Sequence, residues 1–142
     1  MNRHRILQIV VGLVALHSVT LGALNWLFTT SWIRVLGLSI PNIPFWSRQS
    51  GAFLISLGLG YGLGALVPQY LRVSTLIIIF SKSVAVLFLL PEFILRGAPL
   101  AILLAGLGDL FMLIVVGALA WWVYQRPANK KSGEDSVTQH EA

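Results

Sequence analysis

The amino-acid sequence predicts an all-α integral membrane protein, a bundle of four transmembrane helices with a short interfacial segment between helices 1 and 2. Three observations support this prediction: 56% of the 142 residues are apolar and 11% are charged, the mean hydropathy is +0.81, and four long stretches carry almost no charge. Soluble domains have about 25% charged residues, so this composition excludes a free-standing soluble domain. The chain has no cysteine, which excludes disulfides and thiol chemistry.

Four stretches are long and apolar enough to cross about 30 Å of hydrocarbon as helices. They cover residues 6–28, 50–67, 73–90 and 99–124. Pro68 and Pro91 are expected to end the second and third spans, because proline lacks the amide hydrogen that a helix interior needs. Glu92 is then expected to be a solvated loop charge rather than the partner of Arg96. Residues 1–126 form one membrane domain, and the polar tail 127–142 is predicted to be disordered.

The longest connection, residues 29–49, joins the first and second spans and is apolar and aromatic. Pro41 and Pro44 prevent it from forming one continuous helix. We therefore expect a short helix around residues 31–38 that lies in the membrane interface, followed by an extended return to the second span.

Basic residues predict the orientation of the chain. With four spans, one side of the membrane carries six of them: Arg3, Arg5, Arg72, Arg126, Lys130 and Lys131. The other side carries three: Arg34, Arg48 and Arg96. Because cytoplasmic loops are enriched in lysine and arginine, both termini are predicted to lie in the cytoplasm, with the protein in the inner membrane of a bacterial cell. The net charge of +5 is explained by orientation and by contact with anionic lipid, and not by a nucleic-acid surface.

The second span carries four alternating glycines, Gly58, Gly60, Gly62 and Gly64, which form two pairs with a spacing of four residues. Small residues at this spacing let two helix backbones approach closely, which matters because lipid provides no hydrophobic drive for helix association. We expect these glycines to pack the second span against other helices of the same chain. The alternative is a contact with a second copy or with a partner subunit.

Lys82 and Asp109 are the ionisable residues at the middle of the third and fourth spans. Each lies 13.5 residues from a loop centre near residue 95.5, so in an antiparallel hairpin both reach the same depth. A lone charge at the bilayer centre costs from about 2.5 kcal/mol upward, so the two are predicted to form an ion pair. The pair either fixes the helix register or handles protons or a ligand.

Four other residues are candidates to line a ligand or quinone pocket: His17, Asn25, Trp26 and Arg48. His17 is expected to be a neutral, hydrogen-bonded histidine, with ligand binding as the alternative. No metal site and no catalytic residues are predicted, because the sequence has no cluster of histidine, cysteine or carboxylate ligands and no nucleotide-binding or hydrolase motif.

Short motifs along residues 6–124 resemble the DoxX-like family of small bacterial membrane proteins. They are Asn25-Trp26 at the end of the first span, Arg48 to Gly51 before a glycine-rich helix, Ser81-Lys82, and Gly108-Asp109. The resemblance implies a four-helix membrane bundle and a link to quinone-coupled sulfur oxidation. The chain departs from the enzymatic members in having no cysteine, so the resemblance assigns no catalytic residue here.

The leading functional prediction is a non-catalytic accessory or assembly subunit of a larger membrane complex, for example a respiratory or photosynthetic one. Two alternatives stay open: a quinone-linked redox component of the DoxX type, and a small transporter or proton relay that uses Lys82 and Asp109. Quinone is the one candidate cofactor. The expected partners are the lipid bilayer and either other membrane subunits or further copies of the chain.

Overall fold

The computed structural model describes residues 2–125, and within this range the chain is all helical, with five α-helices and no strand. The helices are α1 (Arg3–Leu27), α2 (Thr29–Val35), α3 (Phe45–Leu66), α4 (Leu71–Arg96) and α5 (Leu100–Tyr124). A single 3-10 turn, Pro68–Tyr70, joins α3 to α4. The tail 127–142, for which the sequence predicts disorder, lies outside the described residues.

Three segments of the described chain are long and apolar enough to cross a membrane by length and composition: α1, α4 together with its preceding 3-10 turn, and α5. The second predicted span forms α3, a helix of 22 residues, but α3 is not among the three. The helix α3 contains several glycines as well as Gln49 and Tyr61, which are less hydrophobic than leucine or isoleucine. The fold is therefore all-α and compatible with a multi-pass membrane protein.

The segment that joins α1 to α3 has a short helix followed by an extended stretch. The helix α2 begins two residues earlier than the sequence predicts and ends at Val35. Gly37 follows in the left-handed conformation at φ 70°, which glycine adopts without strain. The chain then runs without helix until Phe45, so the two prolines lie where no helix forms.

The fourth helix does not end at Pro91, as the sequence predicts, but continues to Arg96. A proline inside a helix removes one backbone hydrogen bond, and the helix tolerates the loss here, near its C-terminal end. It ends where Gly97 adopts a left-handed conformation at φ 66°, a common helix C-terminus. Glu92 is therefore helical, and its Oε1 accepts a hydrogen bond of 2.7 Å from Nη1 of Arg96. The expectation of a solvated loop charge at Glu92 is wrong.

The four long helices pack in the cyclic order α1, α3, α4, α5, and α5 returns to α1. Aromatic contacts show which helix ends lie together. The Arg3 guanidinium lies 5.1 Å from the Trp122 ring, and the His4 and Tyr124 rings lie 6.3 Å apart. The Arg72 guanidinium lies 5.8 Å from the Tyr124 ring. The N-terminal ends of α1 and α4 and the C-terminal end of α5 therefore meet at one end of the molecule.

Glycines let α1 and α3 touch through their backbones. A Cβ atom added to Gly51 would lie 2.7 Å from the carbonyl oxygen of Gly22 and 2.7 Å from the amide nitrogen of Trp26. A Cβ on Gly58 would lie 2.7 Å from Cγ2 of Val19. All three distances are too short for a real contact, so these positions accept only glycine without a shift of the helices.

The four glycines that the sequence singles out are not equivalent. Gly64 faces α4, where an added Cβ would lie 2.5 Å from the Ser74 Cβ atom. A Cβ on Gly60 would meet nothing within 4 Å, and one on Gly62 would reach only the Ala15 Cβ at 4.0 Å. Gly58 and Gly64 therefore carry close packing, whereas Gly60 contributes its carbonyl oxygen, which accepts a 3.0 Å hydrogen bond from the Ser74 hydroxyl.

The interior of the protein is small and its surface is apolar. The buried apolar core consists of Leu7, Val11, Val14, Ala15, Tyr61, Leu71, Ile78 and Val116. Only 11% of the most apolar 18-residue stretch of α5 is buried, and large side chains such as Phe80 and Phe111 are mostly exposed. Soluble monomers rarely expose apolar surface on this scale, whereas lipid solvates it without penalty.

We predict that Gly51→Ala lowers the free energy of unfolding in detergent micelles by about 1–3 kcal/mol, because its Cβ meets backbone atoms that cannot rotate away. The matched control is Gly60→Ala in the same helix, which adds a methyl group to open space and is expected to be neutral or slightly stabilising. Equal destabilisation by both substitutions would contradict the close α1–α3 approach.

Candidate functional site

An ion pair between α4 and α5 occupies the interior of the described chain. Nζ of Lys82 lies 2.5 Å from Oδ1 of Asp109, and the two side chains are 8% and 14% exposed. Both residues lie far from the ends of their helices. Lys82 is the fifteenth residue counted back from the C-terminal end of α4, and Asp109 is the tenth residue of α5.

A charge at this depth is costly unless it is neutralised, and each residue supplies the counter-charge of the other.

The backbones of the two residues are not level, although the sequence predicts equal depth. Lys82 lies 14 residues before the end of α4 (96 − 82), whereas Asp109 lies 9 residues after the start of α5 (109 − 100). The difference arises because α4 continues through Pro91. Gly106 packs against Leu89 and Leu90, which sets Asp109 about one helical turn further along α4 than Lys82. The long lysine side chain spans this difference.

A hydrogen-bonded pair from α3 and α4 adjoins the ion pair. The Tyr61 hydroxyl lies 2.5 Å from Oγ of Ser81, and Tyr61 is only 2% exposed. Ser81 donates its own hydrogen to the carbonyl oxygen of Ile78 at 3.1 Å, which leaves the tyrosine hydroxyl as the donor to Ser81. Tyr61 also lies close enough to Asp109 to interact with it electrostatically. The contact ties α3 to the residue that directly precedes Lys82.

His17 of α1 lies at the edge of the same region. Its side chain is close enough to Lys82 and Asp109 to interact electrostatically with both, yet the residue is exposed on the surface of the isolated chain. The His4–Tyr124 ring contact provides a depth marker: His17 lies 13 residues after His4 (17 − 4), and Asp109 lies 15 residues before Tyr124 (124 − 109). At 1.5 Å per residue the two depths agree within about 3 Å.

The other three candidate pocket residues lie elsewhere. Asn25 is eight residues beyond His17 on α1, a separation of about 12 Å along the helix. Trp26 contacts Gly51, and Arg48 is exposed one turn before that glycine on α3. An open apolar groove near this end is lined by Leu24, Phe28, Ser31, Trp32 and Val35. The structure therefore separates His17 from the other three residues and places it with the ion pair.

Ionisable and hydrogen-bonding groups from all four long helices thus converge. His17 comes from α1, Tyr61 from α3, Ser81 and Lys82 from α4, and Asp109 from α5. We call these five residues the polar cluster. Within residues 2–125, no group of three or more histidine, cysteine, aspartate or glutamate side chains is arranged to hold a metal ion.

Sequence reasoning identified the ion pair but missed two features. Tyr61 appeared only as one member of a glycine-rich run, although it is the one hydroxyl residue among the buried residues of α3. Gly22, which opposes Gly51, was also missed, because its contact joins helices that are distant in the sequence. A sequence signal existed for Tyr61: it lies three residues from both Gly58 and Gly64, the two glycines that pack closely.

No protein-family model, curated protein or solved structure matches this chain. Function is therefore inferred from the residues and their geometry. The DoxX-like resemblance stays a prediction from the sequence.

We predict that Lys82→Met or Asp109→Leu alone lowers the free energy of unfolding by about 3–5 kcal/mol, because each leaves an uncompensated buried charge. The double variant Lys82→Met/Asp109→Leu is expected to lose much less than the sum of the two. Denaturation in micelles followed by circular dichroism measures all three. Additive losses would show that the two side chains do not stabilise each other.

Proposed function

We propose that the chain is an integral membrane protein that crosses the bilayer four times and serves as a non-catalytic accessory or assembly subunit of a larger membrane complex. The proposal has two parts, the four-span topology and the accessory role. Each part is supported by a different set of contacts within residues 2–125.

The topology is supported by the positions of the helix ends. The N-terminal ends of α1 and α4 both lie beside Tyr124, so the chain must return between them, and α3 is the helix that makes this return. With 22 residues, α3 is about 33 Å long, enough to cross the hydrocarbon. This helix packs against both α1 and α4.

The orientation is supported by the distribution of basic residues. Arg3, Arg5 and Arg72 lie near the end of the molecule where α1 begins, and in the sequence α5 is followed by Arg126, Lys130 and Lys131. Arg34, Arg48 and Arg96 lie toward the opposite end. This asymmetry favours cytoplasmic termini in a bacterial inner membrane.

The accessory role is carried by one observation: the charged groups at mid-span face each other inside the chain, and the outer surface is apolar. Lys82 and Asp109 neutralise one another, while α4 and α5 present exposed phenylalanine, leucine and isoleucine side chains outward. A surface of this kind accepts lipid or the transmembrane helices of another subunit. A compact body held together internally is suited to assembly with other membrane proteins.

The proposal predicts that the tagged chain, expressed from its own gene and extracted in mild detergent after cross-linking, migrates as an assembly larger than its 15.6 kDa. Quantitative mass spectrometry is expected to find another membrane protein at a constant ratio. Phe80→Ala and Phe111→Ala remove exposed side chains from α4 and α5 without touching the core, so they report which surface the partner contacts. A monomer without any protein at constant ratio would contradict the accessory role.

A further inference from the structure

An apolar groove lies where α1 meets α2. Its volume is about 340 Å³, within the range of about 300–1,000 Å³ that is typical of small-molecule sites. Two lining side chains, Leu24 and Phe28, come from the end of α1, and three, Ser31, Trp32 and Val35, come from α2 and its last turn. Because α1 is long and apolar enough to cross a membrane, a groove at its end lies near the boundary between hydrocarbon and lipid headgroups.

Hydrogen bonds and packing hold the two helices that form this groove. The backbone leaves helical geometry at Phe28, where φ is −117° and ψ is 33°. The Thr29 hydroxyl shares its hydrogen between the carbonyl oxygens of Asn25, at 2.6 Å, and Trp26, at 3.1 Å. Thr29 and Ile33, one turn apart on α2, are only 3% and 5% exposed. One face of α2 is therefore attached to the rest of the protein, and the groove has fixed walls.

A positive charge stands beside the groove. Arg34 is exposed and follows Ser31 of the lining by three residues, about 4.5 Å along α2, so the two lie on the same side of the helix. The acidic residues within 2–125 are Glu92 and Asp109, and each forms its ion pair with a basic residue other than Arg34. Arg34 therefore has no carboxylate partner in this part of the chain. A guanidinium group binds a phosphate through two parallel hydrogen bonds.

We propose that the groove binds one phospholipid with a negatively charged headgroup. An acyl chain lies in the groove against Phe28 and Trp32, and the phosphate accepts hydrogen bonds from the Arg34 guanidinium. The apolar lining matches the chain, and arginine supplies the counter-charge of the headgroup. The indole of Trp32 favours the boundary at which the two parts of a lipid meet. This site goes beyond the accessory role and requires only that α1 crosses the bilayer.

The charge of the headgroup distinguishes this lipid from the others in a bilayer. A zwitterionic phospholipid offers the same acyl chain and a phosphate, but its ammonium group is repelled by the arginine. One arginine near the membrane surface favours an anionic lipid severalfold. The site therefore predicts a preference for the anionic lipid that depends on Arg34, and not merely contact with lipid.

Fluorescence quenching of Trp32 by lipids with brominated acyl chains tests the proposal. Replacing the other four tryptophans by phenylalanine leaves Trp32 as the sole indole; they are Trp26, Trp46, Trp121 and Trp122. In phosphatidylcholine vesicles, we expect brominated phosphatidylglycerol to reach half-maximal quenching at a mole fraction at least about threefold lower than brominated phosphatidylcholine does. Arg34→Gln is expected to remove this difference. Arg48→Gln, which removes an exposed arginine outside the groove lining, is the matched control and is expected to keep it.

Native mass spectrometry of the chain with all five tryptophans gives an independent measurement if the single-tryptophan chain fails to fold. Ser31→Phe fills the groove, and Thr30→Phe adds the same side chain at the neighbouring exposed position outside its lining. From micelles that hold equal amounts of both lipids, we expect the unaltered chain and Thr30→Phe to retain one phosphatidylglycerol molecule. Arg34→Gln and Ser31→Phe are expected to retain at least about threefold less.

Three results would overturn the proposal. The first is equal quenching of Trp32 by the two brominated lipids. The second is an equal effect of Arg34→Gln and Arg48→Gln, which would show that the net charge of the surface attracts the lipid without a site. The third is equal retention of phosphatidylglycerol by Ser31→Phe and Thr30→Phe, which would show that the groove does not hold the acyl chain.

Discussion

The cost of holding a charge in hydrocarbon is the constraint on which the rest of this structure depends. Lys82 and Asp109 can both remain ionised inside the protein only while they touch, because separation would expose each to an apolar environment. The contact therefore fixes the rotation of α4 and α5 about their axes and their position along one another. In a chain with so few buried side chains, this one contact does what an extensive hydrophobic core does in a soluble domain.

The remaining helix contacts follow from the same scarcity of interior. Because lipid solvates the outer surface as well as a protein core would, α1 and α3 gain stability from close backbone approach at Gly22, Gly51 and Gly58. Small hydroxyl residues have the equivalent role between α3 and α4, where Ser74 donates to the Gly60 carbonyl and Tyr61 bonds to Ser81. Polar and small residues, rather than large apolar ones, specify which helix faces meet.

The sequence predicted the helical class and the partner of each mid-span charge, because hydropathy and the cost of a lone charge are properties of the residues themselves. It failed where an outcome depended on neighbours distant in the chain. It also failed locally at Pro91, whose effect on a helix depends on whether the residues that follow directly can continue and cap that helix, as Glu92 to Gly97 do. Gly60 and Gly58 look identical in the sequence, and only the position of α1 makes one of them essential. The place of His17 beside the ion pair likewise required the relative depth of α1 and α5.

The most direct test of the central claim is a distance measured in a lipid bilayer. Solid-state NMR of the chain labelled at lysine Nζ and aspartate Cγ reports the Lys82–Asp109 contact, and Lys130, Lys131 and Asp135, which lie beyond the predicted spans, can be replaced to remove other signals. A dipolar coupling that corresponds to about 3.5 Å between Lys82 Nζ and Asp109 Cγ is the predicted result. The absence of a measurable coupling, in protein shown to be folded, would contradict the account.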